Sequence, residues 1–167
     1  MKGNKLTYNW YALYTRPRWE KKVYNELNIS GFEAYLPLVK KIKQWSDRKK
    51  IIEEPLIKSY VFVKTSEKEY YDILNVDGAV RYIFFEGKAA SIPEWQIDLL
   101  RKTIENNLSF RLTNEKLKPG EKINIKGGPL KGCKGEIIKI KGKNKLVIRI
   151  ENIGYNLLIE TEADNLE

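Results

Sequence analysis

Glu54-Pro55-Leu56-Ile57-Lys58-Ser59-Tyr60-Val61-Phe62-Val63 is the stretch that decides the fold. Pro55 has no N–H to give to a hydrogen-bonded ladder, so it belongs at the edge or first position of a strand, and the strand proper follows it. Side chains alternate along a strand, which sends Tyr60 and Phe62 to one face and Val61 and Val63 to the other. A strand apolar on both faces either fills a core on both sides or gives one face to a partner. Val61, Phe62 and Val63 are therefore expected in the core, whereas a phenol such as Tyr60 can face water in the free protein.

Working outward, residues 8–105 read as strand, helix, strand, strand, helix, strand, helix. This is a split βαβ pattern with an appended helix, giving an antiparallel sheet with helices on one face. Tyr8–Tyr14 alternates as the first strand. Pro17 is expected to open a helix that carries Trp19, Val23 and Leu27 at a spacing of four and ends at Gly31. Phe32–Trp45 and Ile51–Lys64 are expected to form one long hairpin with its tip at Ser46-Asp47-Arg48-Lys49. Ser66 with Glu69, and Ser91 with Glu94, each have the spacing of a capping box. The first precedes a short helix through Tyr70, Ile73 and Leu74, and the second a helix with Ile97, Leu100 and Ile104 on one stripe. Ala79–Phe85 is the strand between them. Residues 106–118 lose periodicity and read as a linker. Beyond it, Lys122–Lys126, Gly135–Lys141, Lys145–Ile150 and Tyr155–Glu160 cluster Ile, Val and Leu between turns, predicting a small five-stranded barrel completed by a short final strand. The fold class is α+β, with domains at 1–105 and 119–167.

Composition narrows the chemistry. The 167-residue chain has one cysteine, Cys133, and no histidine. That removes an internal disulfide, a thiolate zinc cluster and the usual general base, so no catalytic residue, metal or cofactor is expected and the protein is not read as an enzyme. Gly127–Gly132 lacks the Gly-Lys-Ser/Thr ending of a phosphate loop and is read as a turn. The N-terminus runs to Trp10 without an apolar signal, and no run approaches the roughly 20 apolar residues of a membrane span, so a cytoplasmic protein without a membrane partner is expected. The net charge of +9, from 31 basic and 22 acidic residues, favours an acidic polymer as partner. Lys40, Lys41, Lys43, Arg48, Lys49 and Lys50 face only Asp47 on the hairpin, and of these Lys43, Arg48, Lys49 and Lys50 are candidate phosphate contacts.

Five blocks in order carry a family resemblance: Trp10-Tyr11-Ala12-Leu13-Tyr14; Glu54-Pro55-Leu56 with Tyr60-Val61-Phe62-Val63; Gly78-Ala79-Val80; Ser91-Ile92-Pro93; and Pro119-Gly120-Glu121-Lys122-Ile123 leading to Gly128-Pro129-Leu130-Lys131-Gly132. Together they resemble the NusG/RfaH transcription elongation factors, with an NGN domain followed by a KOW domain. The Tyr14-Thr15-Arg16 start is similar to RfaH-like paralogues, and the length and basic hairpin to the UpxY-type antiterminators of polysaccharide loci. The resemblance implies a monomeric factor that binds the clamp helices of RNA polymerase through Tyr14, Ile57, Tyr60 and Phe85. It also implies contact of Arg16, Arg18, Lys21 and Lys22 with the non-template DNA strand. The KOW domain would recruit a ribosomal protein or a termination factor. Asp77 departs from the pattern, because RfaH-like relatives carry an Arg there, and so does Lys58-Ser59, where many have a Pro-containing pair. The alternative reading is a ribosome- or structured-RNA-binding KOW protein.

Overall fold

In the computed structural model, which describes residues 6–150 and 153–160, the elements are β1 (Asn9–Thr15), α1 (Glu20–Ile29), β2 (Glu33–Tyr35), β3 (Leu38–Gln44), β4 (Lys49–Pro55), β5 (Tyr60–Thr65), α2 (Tyr70–Leu74), β6 (Ala79–Tyr82), β7 (Phe84–Phe85), β8 (Lys88–Ala89), β9 (Ser91–Ile92), α3 (Glu94–Glu105), β10 (Phe110–Thr113), β11 (Glu121–Asn124), β12 (Lys134–Ile140), β13 (Lys143–Ile150) and β14 (Tyr155–Ile159). Two units divide between Ser91 and Ile92.

In the first unit the apolar runs of β1 and β5 pair antiparallel at the middle of a sheet ordered β2-β5-β1-β6, with β9 also on β1. Leu13, Val61, Val63 and Tyr82 point to one face, where Val23 and Leu27 of α1 and Ile73 of α2 close over them. Each buried aliphatic group there contributes about 1.5–3 kcal/mol relative to exposure. The expected strand faces hold, since Phe62 lies on the opposite side, paired with Ala12 and stacked on Tyr35.

Three local expectations change. Pro17 does not open the helix: Trp19 N–H donates to the Arg16 carbonyl at 3.1 Å and Arg18 sits at φ 67°, so Pro17 is the second residue of a turn with left-handed backbone at its third, and α1 starts at Glu20. The long hairpin is two structures. β2 joins the main sheet while β3 and β4 form a separate ribbon, interrupted at Leu36-Pro37 and at Leu56–Ser59, where Ser59 has φ 64°. Ser91 is no cap, because Ser91 and Ile92 form β9 and α3 begins after Pro93 without a side-chain cap. The Ser66–Glu69 box does form in part, with the Glu69 carboxylate accepting from the Ser66 hydroxyl (3.0 Å) and N–H (3.4 Å).

The second unit is a five-stranded antiparallel sheet ordered β10-β14-β13-β12-β11 with α3 against β12 and β13. From the sequence, a boundary is expected at residue 105 and a linker at 106–118. Helix α3 groups with the second unit, and Phe110–Thr113, too short to show a period among its polar neighbours, is strand β10 paired with β14. The fifth strand therefore precedes the other four; the expected final strand falls outside the described residues. A near-buried charge pair joins the segment before β11 to β12 and β13. Arg149 donates from Nη2 and Nε to the two Glu136 oxygens at 2.6 and 2.9 Å, and from Nη1 to the Leu117 carbonyl at 3.0 Å, while Gly120 N–H donates to Glu136 at 2.7 Å. The guanidinium beside Glu136 holds its carboxyl below the usual range against the opposing effect of burial. Gly120 has to be glycine: a Cβ there would lie 2.2 Å from the Ile137 carbonyl oxygen.

Candidate functional site

A row of side chains crosses three strands on the sheet face away from α1 and α2. Tyr60, Tyr14 and Arg81 are register partners in β5, β1 and β6. The Tyr14 and Tyr60 rings meet edge to face at 5.5 Å, and the Arg81 guanidinium carbon lies 5.7 Å from the Tyr14 ring. Both phenols keep part of their surface, and Arg81 is exposed. Beyond β6 the Ile83 N–H still donates to the Ala12 carbonyl, and the chain then turns out as the small β7–β8 ribbon. Phe84 and Phe85 are 52% and 62% exposed there, a pair of large apolar groups with no cover. Aromatic surface with a cationic neighbour supplies contact area at low entropic cost, the usual composition of interface anchors.

The structure thus brings Tyr14 and Tyr60 together and leaves Phe85 accessible, but it buries Ile57 to 4% exposure. Ile57 is a core residue of the bend between β4 and β5 and presents almost no surface. Phe84 and Arg81 were not singled out by the sequence; two consecutive phenylalanines before Glu86-Gly87, a turn signal, could have marked Phe84 as a loop aromatic.

The basic residues gather around the β1–α1 turn. Arg16 and Lys22 both lie over the Trp19 indole, with the guanidinium carbon 5.3 Å and the ammonium 3.9 Å from its centroid. Both also reach Asp77, Arg16 Nη1 to Oδ1 and Lys22 Nζ to Oδ2, each at 3.4 Å. Trp19 is fixed from behind, because Gly78 has φ 93° and a Cβ there would stand 2.5 Å from the indole. Arg18 is exposed in the turn, whereas Lys21 donates to the Glu53 carbonyl at 2.9 Å. Glu20, unnoticed in the sequence, is buried and accepts from Ser59 N–H at 2.7 Å, tying the start of α1 to the bend ahead of β5.

The β3–β4 ribbon carries the third group. Lys43, Arg48, Lys49 and Lys50 are all exposed near its tip, where Trp45 N–H closes the turn on the Arg48 carbonyl at 2.8 Å. Lys41 and Lys43 pair with Glu54 at 3.3 and 2.8 Å, and those contacts lower the Glu54 pKa. Ile42 and Ile51, directly opposite each other, and Trp45 are exposed as well. Among the described residues no group of His, Cys, Asp or Glu could hold a metal ion, and no helix is long and apolar enough to cross a membrane.

These features define a two-unit α+β protein with an aromatic patch beside a basic turn. The family model for NusG, described as transcription termination factor nusG, matches residues 8–101, and the chain belongs to the NusG family. Its similar solved structures include NusG of Thermotoga maritima, at 17% identity over 96% of this chain and 97% of that one, with a TM-score of 0.44. Two conformations of an MjSpt4:Spt5 complex are also similar. Conformation A has 17% identity, 95% and 96% coverage and a TM-score of 0.29; conformation B has 15% identity, 92% and 99% coverage and a TM-score of 0.31. No curated protein matches.

Proposed function

We propose that this chain is a transcription elongation factor of the RfaH-like, antiterminating kind, which binds the clamp helices of RNA polymerase and suppresses pausing or termination. The observation that carries this reading is the Tyr60–Tyr14–Arg81 row with uncovered Phe84 and Phe85 on the neighbouring ribbon, in a chain of the NusG family. Holding a clamp closed requires only higher affinity for the closed state, so binding without chemistry suffices. Arg16, Lys22 and Arg18 support contact with the phosphates of the non-template DNA strand, and Lys49, Lys50 and Arg48 a second contact from the ribbon. The first domain is the polymerase-binding NGN unit, and the second a KOW barrel that recruits a ribosomal protein or a termination factor.

The test is capture of purified core RNA polymerase by wild type and by the Tyr14→Ala/Tyr60→Ala double variant in the presence of excess bulk RNA. Capture by wild type alone is expected. Loss of both signals to the RNA competitor would favour a structured-RNA-binding protein, and equal capture by the double variant would overturn the surface.

A further inference from the structure

Arg16 and Lys22 converge on the two oxygens of a single carboxylate, Asp77, from two other elements of the first unit. A phosphate offers the same geometry: paired anionic oxygens that accept from a guanidinium and an ammonium. We propose that Asp77 is an internal stand-in for a nucleic-acid phosphate, an autoinhibitory counter-ion that must be displaced before Arg16 and Lys22 can engage DNA. This rests on the reading that these two residues contact nucleic acid.

Three observations carry it. First, the two cations are positioned independently of Asp77. The indole of Trp19 lies beneath both, and Trp19 is itself held against Gly78, so the site survives when the carboxylate leaves. Second, the carboxylate can leave. Arg16, Lys22 and Asp77 side chains are 60%, 53% and 62% exposed, and both contacts are long at 3.4 Å, so exchange for a stronger anion meets no burial barrier. Third, Asp77 is anchored by its backbone rather than by its side chain. It immediately precedes Gly78, whose carbonyl accepts from the Arg16 N–H at 2.9 Å, so the carboxylate stays tethered near the cations after displacement and competes at high effective concentration. The consequence is discrimination. Free single strands at low concentration are excluded, whereas a strand held beside the protein by other contacts wins the exchange.

The experiment measures binding of a short labelled DNA single strand to the full chain by fluorescence anisotropy across a salt series. Two exposed ion pairs of ordinary strength correspond to about a three- to tenfold effect, so Asp77→Asn should tighten binding about three- to tenfold at low salt, with the gain shrinking as salt rises. The gain should vanish in an Arg16→Ala/Lys22→Ala background. Asp72→Asn, an exposed acid on α2, should give little change. Equal tightening by Asp72→Asn, or a gain that persists without Arg16 and Lys22, would reduce the effect to net charge and overturn the proposal. If Asp77→Asn has no effect while Arg16→Ala/Lys22→Ala weakens binding, the counter-ion idea fails and the DNA site stands. If Arg16→Ala/Lys22→Ala leaves wild-type affinity intact, the DNA reading itself fails. Thermal melts establish that each variant is folded.

Discussion

The two units treat large apolar side chains in opposite ways. Tyr8, Ile42, Trp45, Ile51, Val80, Phe84 and Phe85 are exposed in the first, while in the second the described residues expose no large hydrophobic group. Both units pair charges internally; in the second the pairs are near-buried Arg149 with Glu136 and Lys145 with Glu160 at 2.9 Å. The difference teaches where specificity resides. Exposed aromatics are costly in water and persist where a partner covers them, so the first unit has the surface for apolar anchoring. The described residues of the second unit offer a mainly polar surface instead.

The largest expected effect comes from breaking the closed unit. Arg149→Ala leaves the Glu136 carboxylate near-buried without its guanidinium and should cost about 3 kcal/mol in denaturant unfolding of the second unit, with polymerase capture retained. A loss below about 1 kcal/mol would mean that the pair is solvated and the unit less closed than described. Next is the open surface. Phe84→Ser with Phe85→Ser should lower polymerase affinity at least about tenfold while leaving the melting temperature unchanged, as removal of uncovered anchors does. Coupled loss of stability would show that the two rings pack in the free protein.

A pH titration sharpens the contrast further. Glu136 has a lowered pKa when folded, so as acid is added the unfolded chain takes up its proton first, near the ordinary value of 4.5. The stabilisation is complete above that value and is lost as pH falls through the lower folded-state pKa. Glu136→Gln should therefore flatten the acid limb of the stability profile, and an unchanged limb would remove Glu136 from the closed core. The smallest effect is on the ribbon. Lys49→Gln with Lys50→Gln should reduce the slope of log affinity for DNA against log salt by about 1.5, with no change in stability, and an unaltered slope would take the ribbon out of the nucleic-acid surface.

How much of this was legible in the sequence depends on the range of the forces. The faces of β1 and β5 follow from strict alternation, and the stripe of α1 from a spacing of four, so the core of the first unit could be read directly. Pro17 could not be resolved, because its fixed φ suits the first turn of a helix and the second position of a β-turn equally; Arg18 in left-handed backbone decides it. Ser66 and Ser91 have identical capping signatures, yet pairing with β1 takes Ser91 into a strand, a tertiary preference that local spacing does not contain. Among the site residues, Tyr14, Tyr60 and Phe85 came from motif position in the family resemblance, and only for the two phenols did the strand pattern itself suggest a solvent-facing side chain. Ile57 came from motif position alone, and the irregular segment around it has no period to reveal that its side chain is buried. Asp77 was legible as a turn residue before Gly78 and as a departure from a pattern, but not as an ion-pair partner, since Arg16 and Lys22 lie 61 and 55 residues away.

The interruption at Leu36-Pro37 and Leu56–Ser59 does more than end a hairpin early. Beyond it every residue from Lys40 to Ile51 is exposed, the two interrupting segments are joined by Leu56 N–H to the Pro37 carbonyl at 2.8 Å, and Lys21 of α1 reaches only the base of the ribbon, at the Glu53 carbonyl. No side chain of the helix-covered core is drawn from the tip. The outer half of the ribbon is thus a separable appendage: its charge, length and tip can be rewritten without disturbing the sheet that bears it.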